Sequence, residues 1–348
     1  MSDSGSASVE SPKDDMHDSE ADLAHWQQLA GKLQDCAEVI EPAFRKADGA
    51  ALRHQSYHRQ LVKWATVFGT AAILFAILQL AFGDAIGLHQ VAIAELVAVA
   101  IALAAFVLGS LVAFQVRWLV ERNKAERLRI EKFRYLIDPE LWNGNPGIEE
   151  RKGAELAEKV KSIEAAQHHD VHHWIENDVV PTPPDSVLGL SDAPPITSEL
   201  LDYYRTRRLE YQLAFFRKRA NEYLKLQKAT MHVPAVLFLA SVGAVLLHYG
   251  HDLFTHAERL DAFSRWMIVL AASLPVIGGA FRTFQSAYEA ARNAYRYRAK
   301  AVALASIKSA LDHATGPRSQ FLALWFCEQT LENEHREWLR LMLEAEWF

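Results

Sequence analysis

Two groups of side chains have the types and spacing to do chemistry: the histidines of HHDVHHW and a lone acid, Glu95. On a helix His168 and His172 share one face and His169 and His173 the next, four residues apart, the spacing of a paired divalent-metal ligand set. No further ligand of fixed geometry accompanies them and a Pro-rich stretch follows. The expectation is therefore a solvated polar face without metal, a response to pH being the other chemistry open to it. Glu95 is the one acid inside an apolar run, 91–113. A carboxylate in hydrocarbon is costly, which makes it a candidate for lining a pore or carrying protons; its position four or five residues from the end of the run leaves a solvated or helix-pairing role as the alternative. Gln79 and Ser273 are milder polar candidates of the same kind. No Walker loop, GxGxxG, GxSxG, HExxH or paired-carboxylate signature occurs, so no catalytic residue and no cofactor is expected and the chain does not read as an enzyme.

The elements that must position these residues are apolar and helical. Four runs, at 65–83, 91–113, 231–249 and 266–281, hold most of the uninterrupted apolar sequence. At about 1.5 Å per residue, a helix of roughly twenty residues crosses about 30 Å of hydrocarbon. Trp64 stands where an interfacial aromatic belongs, and Arg117, Arg122, Arg282 and Arg292 are the basic residues expected at membrane boundaries. Basic clusters flank both hairpins on one side, so that side is expected to be cytoplasmic, with the turn at Asp84–Gln90 and the loop 250–265 outside. The fourth run is short, between Arg265 and Arg282. Either the arginines snorkel, or the bilayer thins, or the helix continues to Phe284 with Arg282 facing protein. Small residues at four-residue steps, Ala105, Gly109 and Ala113, then Ala240 and Ala244, predict close helix approach.

The remaining sequence is charged and also helical. Residues 1–18 read as a disordered acidic tail that contributes to the net charge of −6, and this balance argues against nucleic acid as a partner. Residues 1–24 lack the apolar core of a cleavable signal peptide. Leu23, Trp26, Leu29, Leu33, Ala37 and Ile40 predict one amphipathic helix ending near Pro42. A charged helix is expected over 148–169, then an extended Pro-rich linker, then a helix capped by Thr197 or Ser198 with Tyr204, Arg208, Gln212, Phe216 and Ala220 at four-residue steps. A last helix starts at about Ser319. Cys36 and Cys327 are the only cysteines and imply no disulfide framework.

Phe114, Gln115, Arg122 and Asn123 recur as Phe284, Gln285, Arg292 and Asn293 at a constant offset of 170, each time with an apolar run before and a basic helix after, which points to two copies of one plan. Three further segments, Arg208 to Ala220 (RLEYQLAFFRKRA), Trp118 to Leu136 and Glu328 to Glu346, resemble the helices flanking the hairpin of the SLATT family, the two-transmembrane effectors that accompany nucleotidyltransferase and nucleotide-sensing components of bacterial conflict systems. The departure from that family is the tandem of two hairpins. The resemblance implies a homo-oligomeric membrane effector that forms a pore or disrupts the bilayer on a cytosolic signal. Its expected partners are the lipid bilayer, copies of itself and a cytosolic signalling or nucleotide-sensing component. The alternative is a non-conducting membrane adaptor or scaffold. The fold expected is all-α, an integral protein of the bacterial inner membrane with four spans in two hairpins, long cytosolic helical extensions and both termini cytoplasmic. In chain order this gives a tail (1–18), a first hairpin with its flanking helices (19–138), a helix and linker (139–197), and a second hairpin with its flanking helices (198–348).

Overall fold

Ser19 accepts a hydrogen bond from the Asp22 amide while the Asp22 carboxylate accepts one from the Ser19 amide, and this capping box opens α1 (Glu20–His25). In this computed structural model, which describes residues 15–83, 88–176, 182–191, 194, 196–255, 261–288 and 290–344, every regular element is helical and no strand occurs among the described residues. The single helix expected from Leu23 to Ile40 is interrupted. The Gln28 amide donates to the Glu199 carboxylate at 2.9 Å, so a tertiary partner replaces a helical carbonyl before α2 (Ala30–Val39) begins, and the Trp26 indole is anchored to Asp202 at 2.9 Å. Pro42 lies in the first turn of α3 (Glu41–Phe82), where its missing N–H costs no helical bond. Then follow α4 (Leu88–Val112) and α5 (Phe114–Leu136). Asp138 caps a 3-10 turn at Pro139–Trp142, and Asn145 caps α6 (Pro146–Ala165). Ala166 turns extended, at ψ 138°, so the helix expected over 148–169 stops early and α7 (His168–Glu176) is separate.

The Pro-rich stretch is not wholly extended: α8 (Asp185–Leu188) buries Val187, while 177–181, 192–193 and 195 lie outside the described residues. Neither Thr197 nor Ser198 caps α9 (Thr197–Tyr204); Ile196 holds that position and the Thr197 hydroxyl donates to the Pro194 carbonyl at 2.7 Å. A π-turn, Arg205–Glu210, leads into α10 (Tyr211–Thr255), followed by α11 (Ala262–Tyr288), α12 (Ala290–Asp312) and α13 (Pro317–Glu344). Ser319 sits inside α13 and bonds back to Gly316, so it is not the cap.

The helices α3, α4 and α5 have 42, 25 and 23 residues, and α10, α11 and α12 have 45, 27 and 23. The two series differ at one junction. Ala113 separates α4 from α5 at φ 49°, whereas α11 runs on to Tyr288. A left-handed alanine costs about 1–2 kcal/mol. Ala113→Gly should remove that cost, less glycine's extra unfolded-state entropy, and raise thermal stability by roughly 1 kcal/mol; an unchanged or lowered melting temperature contradicts the strain.

The division in chain order is not how the residues pack. One unit comprises residues 15–53, 116–218 and 297–344, and the other residues 54–115 and 219–296. The first unit has a core of its own: Leu29, Leu33 and Ile40 from α2 and its flanks, Leu128, Phe133 and Leu136 from α5, Tyr203 and Tyr204 from α9, Leu304 from α12, and Phe321, Leu324 and Cys327 from α13. Segments far apart in sequence supply it because each helix has one apolar stripe and no neighbour in sequence to cover it.

The second unit holds the other kind of surface. Four helices are long and apolar enough to cross a membrane, over Glu41–Phe82, His89–Val112, Thr197–Leu253 and Ala262–Thr283, and only 11–12% of each apolar window is buried in the protein. On α4 the buried positions are Ala98 and Ala105, seven apart, while Leu96, Leu103, Leu108 and Leu111 are exposed. Of the other small residues singled out, Ala244 is buried and Ala113 and Ala240 are exposed. Helix α10 carries Pro234 in its interior, and α11 approaches it at Gly278, where an added Cβ would lie 3.6 Å from the Pro234 Cα. The Ser241 hydroxyl donates to the Ala271 carbonyl at 2.7 Å across the same pair.

Candidate functional site

Two of the three polar residues predicted within the apolar runs meet. Gln79 of α3 donates its amide Nε2 to the Glu95 carboxylate of α4, and both side chains are half-buried. Helices α3 and α4 run in succession through the short connection at 83–87, so residues near their joined ends face each other. The pair satisfies a carboxylate that would otherwise be costly among apolar side chains. Ser273 is half-buried on α11, and no hydrogen bond joins it to that pair among the described residues.

The boundary arginines have separate surroundings. Arg117, Arg282 and Arg292 are exposed, whereas Arg122 is half-buried and pairs with Asp48 at 2.9 Å and with Glu126. His168, His169, His172 and His173 are exposed on α7, and no group of three or more His, Cys, Asp or Glu side chains with metal-holding geometry occurs among the described residues. Partial burial, with His172 and His169 beside it, lowers the His168 pKa below its ordinary value. The turn at 84–87, Arg259 and the side chains of Phe284 and Gln285 lie outside the described residues.

The largest polar assembly is one that the sequence reading assigned to a disordered tail. Residues 1–14 lie outside the described residues, but Asp15 and Met16 are buried in the first unit, which corrects the tail for residues 15–18. Asp15 accepts from Arg208 Nη1 and Gln212 Nε2, each at 2.9 Å, and pairs with Arg129 Nε at 3.0 Å. Lys132 donates to the carbonyls of Asp15 and Met16 at 3.1 Å and to Asp18 at 2.7 Å. Arg207 reaches the His17 carbonyl at 2.7 Å, Asp22 at 3.0 Å and Asp18 at 3.3 Å. Tyr203 donates to Asp18. Beneath them Arg208 makes a two-pronged pair with Glu328, at 2.9 and 2.8 Å, and lies 4.5 Å from the Phe133 ring centre.

The reason this forms is local. The π-turn has more residues per turn than an α-helix, which narrows the angle between consecutive side chains and lets Arg207 and Arg208 both point inward. Burial alone would raise the Asp15 pKa, but Arg129 and Arg208 outweigh it and hold the carboxyl below its usual range. Glu126 is lowered in the same way, against burial, by Arg122 and Arg129. Burial raises Tyr203 and Tyr204 well above the ordinary phenol and pushes the Cys36 and Cys327 thiols up to about 12, so both cysteines are inert packing residues. The sequence did contain a signal: Arg208 falls on the stripe of Tyr204, Gln212, Phe216 and Ala220, and a cation on an apolar stripe needs an acid from elsewhere.

These observations define an all-helical chain with four helices apolar enough for a multi-pass membrane protein, joined in sequence to helices that bury an ionic network. No family model, curated protein or solved structure matches the chain.

Proposed function

We propose that the chain is an integral inner-membrane protein with two helical hairpins and both termini in the cytoplasm, acting as a membrane effector of a bacterial conflict system. On a cytosolic signal it oligomerises and opens a pore or disrupts the bilayer. The observation that carries this reading is the exposure of the apolar windows: with roughly nine-tenths of each window unburied, these helices need lipid or further copies of the chain around them. The sequence resemblance to the SLATT family supplies the effector role, and the Gln79–Glu95 pair supplies a polar group that an open state can present to ions. The test is induction together with the genomic neighbours, with membrane potential and dye exclusion followed. Depolarisation is expected, and Glu95→Gln should change the ion selectivity or lower the lethality without loss of membrane-fraction protein; intact potential and dye exclusion overturn the effector role.

A second reading, a non-conducting adaptor, is favoured by one feature of the first unit. An open cleft of about 430 Å³ is lined by Asp35, Glu38, Glu149 and Glu150 beside Lys32 and Tyr135, a surface suited to a basic partner segment. Unchanged membrane potential together with a partner lost on charge reversal of this cleft is the adaptor's result.

A further inference from the structure

The ionic network has an asymmetry of construction. Its cations, Arg129 and Lys132 on α5 and Arg207 and Arg208 in the π-turn, are anchored in helices that form the core. Apart from Glu328 and Glu126, the acids facing them, Asp15, Asp18 and Asp22, come from the segment 15–22. Residues 15–18 are not helical and make no backbone–backbone hydrogen bond among the described residues. Among the contacts that hold them are their carboxylates, three carbonyls given to Lys132 and Arg207, the His17 ring against the Glu41 carboxylate at 2.8 Å, and the buried Met16 side chain. A core needs no such arrangement for stability, since well-packed apolar residues do as well as buried ion pairs. Four convergent cations on a rare π-turn and its neighbouring helix, closed by an irregular acidic strap, are instead the geometry of an anion site filled in cis.

What can lift the strap follows from its electrostatics. Protons are poor competitors, because Arg129 and Arg208 hold Asp15 ionised below the usual carboxylate range. Dilute salt is a poor competitor too, because screening acts weakly on buried pairs. A competitor has to bring several negative charges into one compact volume, with oxygens that match guanidinium forks.

We propose that Arg129, Lys132, Arg207 and Arg208 form a binding site for a compact polyanion of the phosphate class, which the strap of residues 15–22 occupies in cis and the polyanion takes when the strap is displaced. The site is independent of the membrane reading. Tripolyphosphate is the probe. In the full chain carrying Asp15→Asn, Asp18→Asn and Asp22→Asn together, titration calorimetry should show tripolyphosphate binding at least tenfold tighter than in the unsubstituted chain, with a higher melting temperature on addition. Adding Lys132→Gln and Arg207→Gln, whose acidic partners Asp18 and Asp22 are already neutralised in that variant, should remove the binding. A folded triple variant that binds no tighter than the unsubstituted chain, or binding that survives loss of both cations, overturns the proposal. Should the triple variant fail to fold, hydrogen exchange in the unsubstituted chain decides. Tripolyphosphate should speed exchange of residues 15–22, while sodium chloride of equal ionic strength should not; equal exchange in the two solutions overturns it.

Discussion

Arg208→Ala should unfold the first unit at ambient temperature or leave it barely stable. Arg208 is 1% exposed, and its guanidinium holds two buried acids at once, Glu328 by two bonds and Asp15 by one, with Phe133 against its face. Removing it leaves buried Glu328 facing the Tyr204 hydroxyl without a cation, and takes one of two arginines from Asp15, which keeps Arg129 and Gln212. Breaking one buried pair by deleting a single partner costs about 3–5 kcal/mol, against a total stability of about 5–15 kcal/mol for a domain. Arg208→Lys keeps the charge but not the two-pronged geometry, so it should fall between the two. Arg208→Met combined with Glu328→Leu should cost less than the sum of the single changes, because the second change removes an acid that the first had stranded. Thermal melting of the detergent-solubilised chain followed by near-ultraviolet circular dichroism reads each of these variants. A melting curve for Arg208→Ala that overlays the unsubstituted one sinks the assignment of this network to the core.

The second large effect separates lipid from water as the surrounding of an exposed apolar residue. Leu103 on α4 is 59% exposed and Val302 on α12 is 62% exposed, so neither change removes much packing. If α4 lies in a bilayer, Leu103→Arg puts a charge near the middle of a span at a cost of about 2.5–3.5 kcal/mol, roughly two orders of magnitude in the insertion equilibrium of that segment. Val302→Arg on a water-facing helix should stay within about 0.5 kcal/mol. The measurement is the yield of carbonate-resistant membrane protein for each variant at matched expression. Leu103→Arg should fall several-fold while Val302→Arg should match the unsubstituted chain. Equal yields for both, or the unsubstituted chain in the soluble fraction, remove the membrane reading and with it the effector proposal.

Of the candidate site, the part readable from sequence was the part that depends on local composition. Glu95 and Gln79 stood out because a polar residue in an apolar run is visible without knowing what it faces, although that they face each other required the packing of α3 against α4. Asp15 and Asp18 were misread because an acidic stretch rich in Ser and Asp has the composition of a tail, and the one Lys or Arg among residues 1–22 is Lys13. Their partners stand more than 100 residues away on α5 and in the π-turn. The π-turn itself leaves no mark in RTRRLE.

The periodicity of the chain by itself determined that the protein is helical and where its four apolar helices lie. These are properties of contiguous residues, set by the 3.6-residue repeat, by hydrocarbon thickness and by caps. Tertiary structure alone decided which flanking helices share a core, that α1 and α2 are separate, that the segment 15–22 folds back, and which of the small residues on α4 and α10 are buried. The physical reason is the same in each case. An apolar stripe or a buried charge states what kind of partner it needs, but many segments of a helical chain satisfy that need equally well, and only simultaneous packing of all of them selects one.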